Sequence, residues 1–209
     1  MTAFLLSVLV VFCLVVCAEA LWRYKDLDPE YTRKFVHISV GTFVAFWPFF
    51  LSSLQIALLS LAFVVVVGLS YWLGIFKAIH SVQRPTWGEV FFALSVGVLA
   101  YVAGNPWIYL VALLHMSLAD GLAASVGTRF GKRTRYTVFG HYKSVVGTLT
   151  FMAVSALIFS TYFVLMPHPF TPLVVPLTLA AALLENLGIQ GLDNLIVPLL
   201  VAVGLNLLG

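Results

Sequence analysis

Charge is what this sequence most conspicuously lacks. Asp, Glu, Lys and Arg make up 9% of its 209 residues, against about a quarter in a soluble globular domain. Hydrophobic residues make up 62%, and the mean hydropathy is +1.06. A soluble fold of this length leaves too much surface exposed to hide that much apolar material. A soluble enzyme, a disordered chain and a nucleic-acid-binding domain are therefore excluded as readings. Cysteine is nearly absent. Cys13 and Cys17 both fall in the first apolar stretch, where two thiols build neither a disulfide framework nor a metal cluster; helix packing is the role expected of them. Apolar–polar alternation is also missing, which excludes a transmembrane barrel. The formal net charge of +3 then reports orientation in a membrane, with no nucleic-acid partner implied.

What is there is a series of windows free of Asp, Glu, Lys and Arg: 1–18, 35–76, 90–119, 144–184 and 194–209. About 20 apolar residues cross a bilayer as a helix. The windows 35–76 and 144–184 are each long enough for two spans, with breaks from Pro48 to Ser53 and from Pro167 to Pro172. The window 90–119 breaks at Gly104-Asn105-Pro106. The spacing predicts about eight transmembrane helices, at 2–21, 35–51, 53–73, 88–103, 106–126, 144–166, 171–187 and 192–208. The expected fold is all-α, a polytopic membrane helical bundle forming a single domain over 1–209. The first segment resembles a signal peptide in length, but no Lys or Arg precedes it, so it is read as a membrane helix. With eight spans, all eleven basic residues fall in loops on one side. The positive-inside rule makes that side cytoplasmic and places both termini on the other.

A charge at the centre of a membrane helix costs about 2.5–3.5 kcal/mol on insertion scales, so the acidic residues beside apolar runs need a reason. Asp120, Glu185 and Asp193 are the informative ones, and His37 lies one turn beyond Arg33 and Lys34. All fall at the cytoplasmic ends of their predicted helices. Asp120, Ala123, Gly127 and Gly131 form D-x2-A-x3-G-x3-G, followed by Arg129, Lys132, Arg133, Arg135, His141 and the K-S-x2-G run Lys143-Ser144-x2-Gly147. Glycines let backbone N–H groups approach phosphate oxygens, lysine supplies a point charge, and a carboxylate beside a triphosphate holds Mg²⁺. The pattern reads as a metal–nucleotide site, although no Walker A sequence is present. The same small residues also form a small-x3-small ladder of the kind that packs membrane helices. Asp193 likewise reads as an N-cap, and His37 as an interfacial histidine. His80, His115 and His168 show no partner spacing. Trp22, Trp72, Trp87 and Trp107 read as interface-belt residues.

Four segments in order then resemble the CTP-dependent lipid-alcohol kinases, the family of phytol, farnesol and dolichol kinases and the CTP-dependent diacylglycerol kinase. They are Arg33-Lys34-Phe35-Val36-His37, Trp87-Gly88-Glu89-Val90-Phe91-Phe92, the run Asp120 to Gly147, and Glu185 with Gly191-Leu192-Asp193-Asn194-Leu195 and Pro198. The phosphatidate cytidylyltransferases share the D-x2-A-x3-G-x3-G core, but their following segment carries a second Lys and a Glu that this chain lacks. The resemblance implies transfer of the γ-phosphate of CTP, or another NTP, to an isoprenoid alcohol or diacylglycerol. It implies Mg²⁺ on Asp120 and Asp193, phosphate neutralisation by Lys143, Arg33 and Lys34, and close approach at Gly121, Gly127, Gly131 and Gly147. Ser144 and Asn194 join the nucleotide site. Glu185 or Asp193 orients or deprotonates the alcohol, with His37 as second candidate base, and Arg129, Lys132 and Arg133 admit the nucleotide. The alternatives are a phosphatidate cytidylyltransferase and, more distantly, a transporter or scaffold. In a prokaryote the enzyme would sit in the plasma membrane, its site facing the cytoplasm.

Overall fold

The computed structural model describes residues 1–25, 29–73, 87–166 and 172–208. These residues form helices α1 (Thr2–Lys25), α2 (Pro29–Ala45), α3 (Ser53–Leu73), α4 (Gly88–Val102), α5 (Pro106–Phe130), α6 (Val145–Leu165), α7 (Val174–Leu187) and α8 (Asp193–Asn206). A two-stranded hairpin, β1 (Arg135–Val138) and β2 (His141–Ser144), joins α5 to α6. The fold is all-α apart from this hairpin. Four helices, α1, α3, α5 and α6, are long and apolar enough to cross a membrane.

The breaks between helices follow from local chemistry. Before α3, the Ser52 N–H donates to Gln55 Oε1 (2.9 Å) and the Gln55 N–H donates to Ser52 Oγ (3.3 Å), a reciprocal capping box. Before α5, Asn105 Oδ1 accepts from the N–H groups of Trp107 and Ile108, both at 3.0 Å, and Pro106 occupies the first helical position, where its missing N–H costs nothing. The expected split of the 90–119 window thus has a physical cap. At the far end of the bundle, Asn206 Nδ2 donates to Val102 O (2.7 Å), tying α8 to the end of α4.

Helix α5 is the centre: 61% of its span is buried, against 11% for α1. Around it α3 packs on α4, α1 on α2, α6 on α5 and α7, and α8 on α4, α5 and α7. Tyr109, Leu113, Met116, Phe151 and Phe159 are fully buried in the core. His115 is a satisfied core histidine, with Nδ1 2.8 Å from Val111 O and Nε2 2.9 Å from Ser155 Oγ. The outward faces stay apolar, as Leu5, Leu9 and Phe12 on α1 and Leu58, Leu61 and Leu69 on α3 show. Trp72 and Trp87 are exposed at helix ends, where an amphipathic ring belongs at a membrane surface.

Several expectations change. Helix α2 starts at Pro29 and stops at Ala45, with a separate 3-10 turn over Trp47–Phe49, because Pro29 favours the first turn and Pro48 forbids continuation. The packing role expected of Cys13 and Cys17 is overturned: both are exposed on α1. The polar stretch after α5, too short for a domain, orders as the hairpin. Inside α5, His115–Ala119 forms a π turn immediately before Asp120, an irregularity that commonly marks a functional position. Lys77, His80, Arg84 and His168, and the side chain of Trp22, lie outside the described residues.

Candidate active site

Seven elements bring residues to one cavity of about 440 Å³, the start of α4 with Gly88 among them. The start of α2 contributes Arg33, Lys34 and His37, the end of α5 contributes Asp120 and Gly127, and the hairpin contributes Arg135, His141 and Lys143. The start of α6 adds Ser144 and Gly147, the end of α7 adds Glu185, and the start of α8 adds Asp193 and Asn194.

Two ion pairs frame the cleft. Lys34 Nζ lies 3.1 Å from Asp120 Oδ2, both side chains about 10% exposed, and His37 Nε2 lies 3.4 Å from the same oxygen. His37 Nε2 is also 2.8 Å from Met116 O in the π turn, the geometry of an Nε2–H donor, which leaves Nδ1 as the acceptor nitrogen. On the opposite side Lys143 Nζ donates to Glu185 Oε1 (2.6 Å) and to Glu185 O (2.8 Å). Burial works to lower the pKa of Lys143, but the carboxylates of Glu185, Asp193 and Asp120 outweigh it and hold the ammonium above the ordinary lysine value.

The hairpin aims that lysine. Phe139 and Gly140 carry φ of +45° and +80°, the left-handed pair that closes a two-residue turn with the twist of the strands. Tyr136 stands opposite Lys143 in the ladder. Its phenol bonds to Thr148 Oγ1 (2.6 Å) and to Asn186 Oδ1, pinning the hairpin to α6 and α7. The turn between α7 and α8 is built for close approach. A Cβ at Gly188 would stand 2.5 Å from Asp193 Cβ, so only glycine lets Glu185 and Asp193 converge. Gln190 and Gly191 then take φ of +54° and +86°, swinging the chain into α8.

As a result Asp120, Glu185 and Asp193 each place a carboxylate oxygen within 4.8 Å of the other two. Asp193 Oδ1 is buried and has no hydrogen-bond partner among the described residues. A buried, unpaired carboxylate oxygen is costly, and three carboxylates converging on one point suit a hard divalent cation that takes oxygen ligands. The N-cap expected of Asp193 is corrected: α8 begins at Asp193 itself, Leu192 holds the cap position, and no side-chain cap bond forms.

The glycines divide. Gly127 and Gly147 line the cavity and also touch each other, a Cβ at Gly127 standing 3.2 Å from Gly147 Cα. Gly121 instead faces the Ile38 side chain, and Gly131 faces Ser144 and Gly127 O; neither lines the cavity. Ser144 caps α6, its Oγ accepting from the Gly147 N–H at 3.1 Å. Asn194 donates from Nδ2 to Gly88 O (3.0 Å), and its own carbonyl accepts from Ser95 Oγ (2.5 Å), so it fastens α8 to the start of α4. Arg129, Lys132 and Arg133 are exposed outside the lining, with Arg129 stacked on Phe130 at 5.3 Å. Arg135 and His141, part of the pattern read as a nucleotide site but given no individual role, line the cavity, as do Gly88, Gly188 and Gln190, to which sequence reasoning assigned no site role. The signal for Gly188 and Gln190 was the Gly188-to-Gly191 turn linking two acidic residues.

Phytol kinase of Synechocystis sp. is similar to this chain, 39% identical over an alignment of 197 positions, the match covering 88% of the chain and 82% of that protein. No protein-family model and no solved structure matches the chain.

Proposed function

Because the chain belongs to the phytol kinase family of lipid-alcohol kinases, we propose that its cleft moves the γ-phosphoryl group of CTP, or of another nucleoside triphosphate, to the hydroxyl of a membrane-resident alcohol. The acceptors in this reading are isoprenoid alcohols such as phytol, farnesol, geranylgeraniol and dolichol, with diacylglycerol as a further candidate. The observation that carries it is the meeting of three carboxylates with Lys34, Lys143 and Arg33 in one cleft. Phosphoryl transfer asks of a protein mainly charge neutralisation and in-line positioning.

In the reaction a bond forms between the alcohol oxygen and the γ-phosphorus, and the bond from that phosphorus to the bridging oxygen of the leaving diphosphate breaks. Asp120 and Asp193 would hold Mg²⁺, with a Glu185 oxygen in reach. When bound, that ion supplies Lewis-acid neutralisation of the phosphate oxygens. Lys143 and Lys34 and the Arg33 guanidinium meet the remaining phosphate charge. Glu185 orients or deprotonates the acceptor hydroxyl, with His37 the second candidate base. Arg129, Lys132 and Arg133 attract the nucleotide from outside the cleft.

The proposed topology suits the same placement. Eight spans in one domain, with both termini on the non-cytoplasmic side, put every cleft-forming helix end at the cytoplasmic face. A charged donor then arrives from water while the alcohol waits in the bilayer, which in a prokaryote is the plasma membrane. Purified protein with labelled CTP, Mg²⁺ and a panel of alcohols tests this. γ-Label entering the lipid is the expected result. α-Label entering phosphatidate would mean cytidylyl transfer, and no labelled lipid at all would leave a transporter or scaffold.

A further inference from the structure

We propose that the apolar groove between α1, α2, α3 and α4 holds the hydrocarbon tail of a single-tailed isoprenoid alcohol, and that the tail reaches the cleft past His37 and Phe92. The proposal rests on the kinase reading and assigns its acceptor a place. The groove has a volume of about 200 Å³. Between it and the cleft lies a small cavity of about 40 Å³. That cavity shares Arg33, His37, Gly88 and Asn194 with the cleft, and Val40, Phe63 and Phe92 with the groove. The three spaces therefore adjoin, with the same side chains forming the walls between them.

Two helices show the passage from charge to hydrocarbon along one face. On α2 the stripe Arg33, His37, Val40, Val44 repeats every three or four residues and so shares a face. It begins in the cleft and ends in the groove. On α4, Gly88, Phe92 and Val96 do the same. Phe92 stands at the junction, edge-on to His37 with ring centres 5.4 Å apart and 6.2 Å from Phe63. An alcohol lying in the groove thus has its polar end directed at the carboxylates.

Two hydroxyls in the groove walls have their protons committed within the walls, which lowers the cost of covering them with hydrocarbon. Ser7 Oγ is spent on Ala3 O (2.9 Å) and Ser60 Oγ on Ala93 O (2.6 Å). Val8 and Phe12 on α1 and Val66 on α3 line the groove and are about half exposed, so it opens sideways toward the bilayer, where such an alcohol resides. From Leu59 to Ser70 the α3 wall runs for about 16 Å at the helical rise, room for a chain and not only a head group.

The test narrows the groove and reads chain length. Ala62→Phe and Val66→Trp place bulk in its lipid-facing wall, away from the catalytic groups. For phytol, kcat/KM should fall by about 10-fold or more, while geraniol, too short to fill the groove, stays within about two-fold. Equal loss for both alcohols, or no loss for either, overturns the proposal. Phytol carrying a terminal diazirine gives a readout independent of turnover: crosslinks on groove residues of α1 to α4 support it. Crosslinks on the outer faces of α6 or α7, or groove crosslinks abolished by excess phospholipid, overturn it. Wild-type protein that phosphorylates no alcohol sinks the kinase reading separately, and the crosslink map still decides where the tail lies.

Discussion

Two sets of basic side chains gather at the same end of the bundle under different physics. Lys34 and Lys143 are held between helices, each on a carboxylate at 3.1 Å and 2.6 Å. Arg129, Lys132 and Arg133 stand exposed beside them at the end of α5. A buried pair is positioned by its surroundings, and removing one partner strands the other charge away from water. An exposed cation is screened and free to move, so losing it costs little. Charge alone does not mark a site; charge held in place against a desolvated partner does.

The difference can be broken by substitution. Lys143→Met should have the largest effect, lowering kcat/KM by about 10²–10³ in a γ-phosphate transfer assay. Lys34→Met should come next and show itself in stability as well. It leaves Asp120 without its closest cation and should cost about 3 kcal/mol, read as a lower melting temperature in detergent. The triple change Arg129→Gln, Lys132→Gln, Arg133→Gln should do least, keeping kcat/KM within about 3-fold and flattening its dependence on salt. If the triple variant is as damaged as Lys143→Met, the division between the two sets is wrong.

Much of this site is legible in the sequence because charge is so scarce. Asp120, Glu185 and Asp193 stood out as carboxylates beside apolar runs, and alternating helix ends placed them together. The helix limits at Ser53 and Pro106 were legible for a similar reason, since Ser52 and Asn105 carry their own capping chemistry. What stayed hidden depends on close approach. The Asp120-to-Gly147 pattern served phosphate binding and helix packing equally well on paper. Gly121 and Gly131 turn to neighbouring side chains while Gly127 and Gly147 face the cavity, and only the rotation of α5 against α2 and α6 decides that. The hairpin was missed because two four-residue strands give too few alternations, and its turn is Phe139-Gly140, not the Asn-Gly that announces such turns. Gly188 matters through one distance to Asp193, which spacing along the chain does not encode.

The central claim is that the three carboxylates form the transfer site, with Asp120 at its heart. Asp120→Asn keeps the shape and most of the hydrogen-bonding capacity of the side chain while removing its charge. Assayed with γ-labelled CTP, Mg²⁺ and phytol, the variant should insert into the membrane and melt as a folded protein, yet transfer no measurable label to lipid. Transfer at the wild-type rate by that variant would contradict the account.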